Sequence, residues 1–164
     1  MGWAVGPKPL IDRLRHAKEA SDLHTDQLSQ AVLLEFAESG RLEAHRTRMR
    51  QAGSERLAAT LEACAKYLPA GTRWTRPEGG MNVWVRLPEP LDAGGLLARA
   101  QREGVAYMPG RYFAVSRLEP GALRLSFAGL TPEQIRKGLA ILGRTIEAEL
   151  ENTARNYEPS PAMV

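Results

Sequence analysis

A single cysteine, Cys64, occurs in the 164 residues, so no disulfide can form within the chain and a disulfide-framed secreted fold is excluded. Cys64 falls in an apolar helical pattern and reads as a buried structural thiol rather than a nucleophile. Apolar runs stay far short of the ~20 residues that a membrane-spanning helix requires. The opening residues lack the basic, apolar and small-residue succession of a secretion signal, which makes the cytoplasm the expected compartment. Histidine is scarce: the chain has 3, His16, His24 and His45. None shares metal-ligand spacing with Cys64 or with a carboxylate cluster, and no metal site is expected.

Lysine is also thin. Of 22 basic residues only Lys8, Lys18, Lys66 and Lys137 are lysines, the rest being arginine. All four sit at helix starts or on polar helical faces, where nothing lowers an amine's pKa toward use as a nucleophile. No Gly-x-Ser-x-Gly elbow occurs, and Ser54, Ser116 and Ser126 have no histidine near them in sequence. Gly79-Gly80 and Gly94-Gly95 are not followed by the residues of a phosphate loop. No catalytic residue is therefore assigned within the chain.

What remains is a globular composition, 43% hydrophobic and 25% charged, long enough to bury a substantial core. The net charge of +3 is mild. Arginines and glutamates interleave between Arg41 and Arg56, as expected for solvated helix faces with i,i+4 pairing. Arg46, Arg48 and Arg50 form the densest basic spot, but without interleaved aromatics it is a poor nucleic-acid surface.

Met1 to Val5 reads as a short apolar strand stopped by Gly6-Pro7, with nothing at hand to pair with it. A helix is predicted from Pro9 to about Asp22, lined by Leu10, Leu14 and Ala17. After the polar break Asp22-Leu23-His24-Thr25-Asp26, Thr25 or Asp26 caps a second helix that ends at Glu38, with Gly40 as its stop. A long helix follows over Leu42 to Leu68, polar in its first half and apolar at Leu57, Leu61, Cys64 and Leu68 in its second. Thr72–Thr75 and Met81–Leu87 then form an antiparallel hairpin about Pro77-Glu78-Gly79-Gly80. Asp92 caps a short helix closed by Gly104. Val105–Met108 is a third strand, and Arg111 to Pro120 is a loop. Thr131-Pro132-Glu133-Gln134 is a capping box that opens the last helix. The fold class is α+β: a small antiparallel sheet with helices on one face and a long connecting helix.

One stretch carries a chemical signal. In Gly121-Ala122-Leu123-Arg124-Leu125-Ser126-Phe127, Leu123, Leu125 and Phe127 alternate with Arg124 and Ser126, the period of a half-buried strand. A guanidinium projecting from the polar face is suited to grip a carboxylate through two parallel hydrogen bonds. Taken alone, it reads first as a solvated surface arginine and only second as a carboxylate grip.

The order of these pieces resembles the C-terminal part of fold type I pyridoxal-phosphate-dependent aminotransferases, the aspartate aminotransferase superfamily. Gly2-Trp3-Ala4-Val5-Gly6-Pro7 is similar to the strand after the family's cofactor lysine. Ala17-Lys18 through Asp22-Leu23-His24-Thr25 to Gln30-Ala31 is similar to the helix-break-helix that follows it. Glu78-Gly79-Gly80-Met81-Asn82-Val83-Trp84 resembles the small-domain hairpin. Val105, Pro109-Gly110 and Phe113 resemble its strand and loop, and Leu123-Arg124-Leu125-Ser126-Phe127 its arginine-bearing strand. Within the family, aminoadipate-type transaminases and the aminotransferase-like domains of GntR-type (MocR) transcription regulators are equally close.

The resemblance implies pyridoxal 5'-phosphate as cofactor, an amino acid and a 2-oxo acid as substrates, and a homodimer with no membrane association. It implies that Arg124 binds the substrate α-carboxylate and that His24 and Thr25 reach the cofactor phosphate of the partner subunit. Trp84 and Asn82 are read as packing, and Tyr107 and Phe113 as core residues or a lining of the substrate entrance. The family's cofactor-bearing lysine, its phosphate-binding arginine and the aspartate facing the pyridine nitrogen have no counterpart in the 164 residues. The expectation is therefore a segment inactive alone. Residues 1–40 would be a remnant of the large cofactor-binding domain, 41–68 the connecting helix, 69–150 the small α+β domain and 151–164 a disordered tail. In the regulator alternative, DNA would be read only by a separate upstream domain.

Overall fold

The computed structural model describes residues 2–156. The helices are α1 (Lys8–Asp22), α2 (Gln27–Glu38), α3 (Arg41–Tyr67), α4 (Ala93–Arg102) and α5 (Pro132–Asn156). The strands are β1 (Arg73–Trp74), β2 (Asn82–Arg86), β3 (Met108–Pro109) and β4 (Ala122–Ser126), and a 3-10 helix spans Gly110–Phe113. The chain folds as two compact units, one up to Met49 and one from Arg50 onward.

In the first unit the expected helices form, and Asp26 proves to be the cap of α2. Its carboxylate accepts the Ser29 backbone N–H at 2.7 Å; the Ser29 side chain first, and then this backbone N–H, hold its pKa below the usual carboxylate range. Gly40 follows α2 with φ +75°, a conformation that costs an L side chain energy. The apolar stripes stay uncovered: neither α1 nor α2 has a buried residue, and Leu28 is 74% exposed. The strand expected at the start does not form. Residues 2–7 have no strand assignment, and Trp3 is 88% exposed. A strand is stabilised by its ladder, and no described strand runs beside this segment.

The second unit is the α+β body. Its sheet has the order β1-β2-β4-β3 with every neighbouring pair antiparallel. The predicted hairpin is present, pairing Trp74 with Val85. One sheet face carries Val83, Val85 and Leu123, each fully buried. Against it lie Ala63 and Cys64 of α3, Leu96 and Ala100 of α4, and Ile135, Leu139, Leu142 and Ile146 of α5. All three helices therefore cover one face, as the period-2 pattern requires. The buried residues of α3 are Ala59, Thr60, Ala63 and Cys64, all in its second half.

Capping sets the helix starts. Asp92 accepts from the Gly95 N–H at 2.6 Å to open α4. At α5 both bonds of the capping box form: Gln134 N–H to Thr131 Oγ1 at 3.2 Å and Thr131 N–H to Gln134 Oε1 at 2.8 Å.

Two boundaries move. The third strand is shorter than expected, only Met108–Pro109. The Val105 N–H is taken by the Ala100 carbonyl at 2.9 Å, so the chain is still closing α4 where pairing was expected. At the other end α5 continues to Asn156, into the segment assigned to a disordered tail. Half-buried Leu150 packs against the core, and the Thr153 hydroxyl donates to the Glu149 carbonyl at 2.8 Å. Residues 157–164 lie outside the described residues. Among the described residues no helix is long and apolar enough to cross a membrane.

Candidate functional site

Arg124 sits in the third of four strands, flanked on both sides. It is paired with Trp84 of β2 and with Met108 of β3. Its two neighbours Leu123 and Leu125 turn toward the helices, so the guanidinium emerges on the opposite face beside Trp84. Arg124 is half-buried, and its Nε is fully buried with no hydrogen-bond partner among the described residues. Some other arginines of this unit are matched to carboxylates, while Arg73, Arg102, Arg117 and Arg144 have none among the described residues. Arg86 holds Glu119, Arg99 holds Glu149 and Arg136 approaches Glu62. Among the described residues Arg124 has no such carboxylate. A buried, unpaired donor on a permanent cation is costly and is normally satisfied. A planar anion would satisfy it.

Phe113 supplies the remaining contact. The Arg124 guanidinium carbon lies 4.5 Å from the centroid of its ring, within the range of cation–π attraction. The Trp84 ring meets Phe113 edge-on, centroids 5.8 Å apart at 74°, a favoured aromatic geometry. Trp84 is fixed in turn. Its backbone N–H donates to Thr75 Oγ1 at 3.0 Å. The Glu119 carboxylate accepts Arg86 Nε at 2.9 Å and Arg86 Nη2 at 3.4 Å. That pairing, and then the nearby Arg117 charge, lower the Glu119 pKa. Beside the stack opens a pocket of about 260 Å³ lined by Trp84, Arg86, Phe113, Val115, Arg117 and Glu119.

Phe113 reaches this place because the backbone turns sharply after β3. A Cβ on Gly110 would stand 2.8 Å from the Ala122 Cβ and 2.9 Å from the Ala122 carbonyl oxygen. Only glycine lets the 3-10 helix lie so close to β4. Of the two readings for Phe113, the core is excluded, since it is 42% exposed. Tyr107 is a core residue, 8% exposed, with its hydroxyl donating to the Ala93 carbonyl at 2.7 Å. Burial first, and then the Asp92 charge, push the Tyr107 pKa above its ordinary value. Trp84 does pack, though on the polar face. Asn82 is exposed on that face.

His24 and Thr25 belong to the first unit, on the break between α1 and α2. Leu23 adopts φ +64° and ψ −61°, and the His24 N–H donates to the Asp22 carbonyl at 2.7 Å. This is a γ-turn of the rare, strained hand. The Thr25 carbonyl accepts Gln30 Nε2 at 3.1 Å and lies 3.0 Å from His24 Nδ1. With Nδ1 as the donor of that contact, Nε2 is left for an outside partner. The Thr25 side chain forms no cap, since Asp26 takes that role.

No group of three or more metal-ligating side chains occurs among the described residues. Lys8 and Lys18 are exposed and paired with Asp12 and Asp22, one helical turn on. Neither offers a buried amine.

The family model described as Aminotransferase class I and II matches residues 1–142. Aromatic-amino-acid aminotransferase 1 of Thermococcus litoralis is 36% identical over 151 residues, covering 92% of this chain and 36% of that protein. The structure of LysN, an alpha-aminoadipate aminotransferase of Thermus thermophilus complexed with N-(5'-phosphopyridoxyl)-L-leucine, superposes with a TM-score of 0.80 at 37% identity. It covers 90% of this chain and 38% of that one. The uncharacterized HTH-type transcriptional regulator YdfD of Bacillus subtilis is 31% identical over 147 residues, 90% of this chain and 30% of that protein. The chain thus spans about a third of the length of the relatives it matches. With the family match extending over most of the sequence and the fold shared with a solved aminotransferase, the chain belongs to the class I and II aminotransferases.

Proposed function

We propose that this chain serves a pyridoxal-phosphate-dependent aminotransferase that moves an amino group between an amino acid and a 2-oxo acid, with Arg124 holding the substrate α-carboxylate. The observation that carries this is the buried, unpartnered Nε of Arg124 on the open face of the sheet. A carboxylate accepting from that Nε and a terminal nitrogen would complete the pairing in the fork geometry that arginine offers. Fixing the carboxylate fixes where the amino group stands, which converts binding energy into orientation. When bound, pyridoxal phosphate supplies the electron sink for amino-group chemistry.

The residues here fit a supporting share in that site. Thr25 has a hydroxyl not used in capping, and His24 has an unengaged Nε2. Both lie at a strained turn, a feature that clusters at ligand sites. We read them as contacts to the cofactor phosphate of the partner subunit in a homodimer. Residues 1–40 are read as part of a larger cofactor-binding domain, 41–68 as a connecting helix and 69–150 as the small domain. None of the four lysines is assigned the covalent role.

The test is direct. The full-length protein is purified with pyridoxal phosphate and given L-phenylalanine or L-2-aminoadipate with 2-oxoglutarate. Glutamate formation is expected; the 164-residue chain alone is expected to form none. The similarity to YdfD favours a second reading, an effector domain of a DNA-binding regulator. Absence of transamination with every amino acid tried, together with sequence-specific DNA binding by the full-length protein, would replace the first reading with the second.

A further inference from the structure

Arg124 as a carboxylate ligand leaves open what holds it. A long, flexible side chain loses rotamer freedom when it binds, and that loss subtracts from affinity unless it is met beforehand. The usual device is a carboxylate beside the arginine. Here that device is missing among the described residues, and a carboxylate at that position would compete with the substrate's own.

The geometry points to Phe113 as the positioning residue of Arg124, with Trp84 as its backstop. Three observations meet in this assignment, which rests on the carboxylate reading given above. The guanidinium lies 4.5 Å from the Phe113 ring centroid. The ring is buttressed edge-on by Trp84 at 5.8 Å. The turn that delivers Phe113 is pressed against β4 so closely that Gly110 admits no Cβ. An aromatic face attracts the guanidinium without using its N–H donors, because the attraction runs perpendicular to the plane. Phe113 thus orders Arg124 through cation–π attraction, without a neighbouring carboxylate that would compete with the anion.

Glu119 extends the device to the loop. Its carboxylate binds Arg86, and Phe113, Val115, Arg117 and Glu119 line the adjoining pocket. Glu119 is thus paired with Arg86, and no ion pair joins it to Arg124 among the described residues.

The experiment is steady-state kinetics of the holoenzyme carrying Phe113→Leu, Phe113→Tyr or Arg124→Lys, with L-2-aminoadipate or L-phenylalanine, whichever is turned over faster. Phe113→Leu keeps bulk and removes the aromatic face. It is expected to raise KM for the amino acid about tenfold and leave kcat within about twofold, the signature of lost ground-state binding. Phe113→Tyr is expected to restore KM to within about twofold of wild type. If Arg124→Lys raises KM and Phe113→Leu does not, the positioning role is overturned while the carboxylate reading stands. If Arg124→Lys leaves KM unchanged, the carboxylate reading itself falls. Should Phe113→Leu fail to fold, or turnover be absent, the Nε–H resonance of Arg124 in the wild-type holoenzyme decides. The stack predicts a proton shifted upfield by the ring current of Phe113, and a resonance among those of the solvent-exposed arginines would overturn it.

Discussion

The Arg124 guanidinium carbon stands 4.5 Å above the ring of Phe113, a residue eleven positions earlier that arrives by a tight turn rather than by strand pairing. That relationship makes an exposed-face arginine into an ordered one. It also links Arg124 to the backbone geometry of the Pro109-Gly110 turn.

Gly110→Ala should therefore disturb both stability and site. The new methyl meets Ala122 at 2.8 Å and its carbonyl at 2.9 Å. A loss of about 1–3 kcal/mol is expected from overpacking of this kind, visible as a lowered urea midpoint. KM for the amino acid should rise as Phe113 is displaced. A variant as stable as wild type would show that the turn can shift at no cost.

Two glycines of α5 should respond oppositely to the same change. At Gly143 a Cβ would collide with the Tyr67 carbonyl at the end of α3, whereas at Gly138 nothing lies within 4 Å. Gly143→Ala should destabilise by about 2–3 kcal/mol because backbone cannot move aside cheaply. Gly138→Ala should stabilise by up to about 1 kcal/mol through helix propensity. Thermal or chemical unfolding of the pair measures the contrast, and equal effects would contradict the crossing of α3 and α5 at Gly143.

The capping box predicts that Thr131→Ala costs about 1 kcal/mol, through loss of the Gln134 N–H acceptor at 3.2 Å. Thr131→Ser should keep most of it. Denaturant midpoints for the two variants provide the check.

Burial pushes the Cys64 thiol from 9.0 up to about 12. The folded chain holds this proton more tightly than the unfolded chain. The contribution is therefore complete below about pH 9 and is lost as pH rises toward 12, with a slope of at most about 1.4 kcal/mol per pH unit. Iodoacetamide at pH 8 should label Cys64 in urea and leave the folded protein unlabelled. Cys64→Ala should flatten the alkaline fall in stability between pH 9 and 12.

Much of this architecture was legible because it is local or periodic. Asp92, Thr131 and Gln134 form caps at the spacing that capping demands. Val83 and Val85, like Leu123, follow the period of a one-sided strand and are buried as that period requires. Arg124 was found by the same alternation. Phe113 was not, because a 3-10 turn has no period that assigns its side chain to a face, and the contact to Arg124 is set by the close approach at Gly110. The strand expected at Gly2 to Val5 failed for another reason. Its residues have strand propensity, but a strand is completed by a neighbour and none stands beside it among the described residues. The break at Leu23 carried no signal of its strained turn, since leucine is not a residue that favours positive φ. The roles of His24 and Thr25 came from resemblance alone.

The measurement closest to the central claim is the KM of the holoenzyme for its amino acid with Arg124 changed to lysine. Lysine keeps the charge and removes the fork, including the buried Nε that has no partner among the described residues. Loss of a charge-assisted hydrogen bond, worth about 1.5–3 kcal/mol, corresponds to a KM raised roughly 10- to 100-fold. That result, with the fold intact by circular dichroism, is what Arg124 as the carboxylate grip predicts. A KM unchanged from wild type would contradict it.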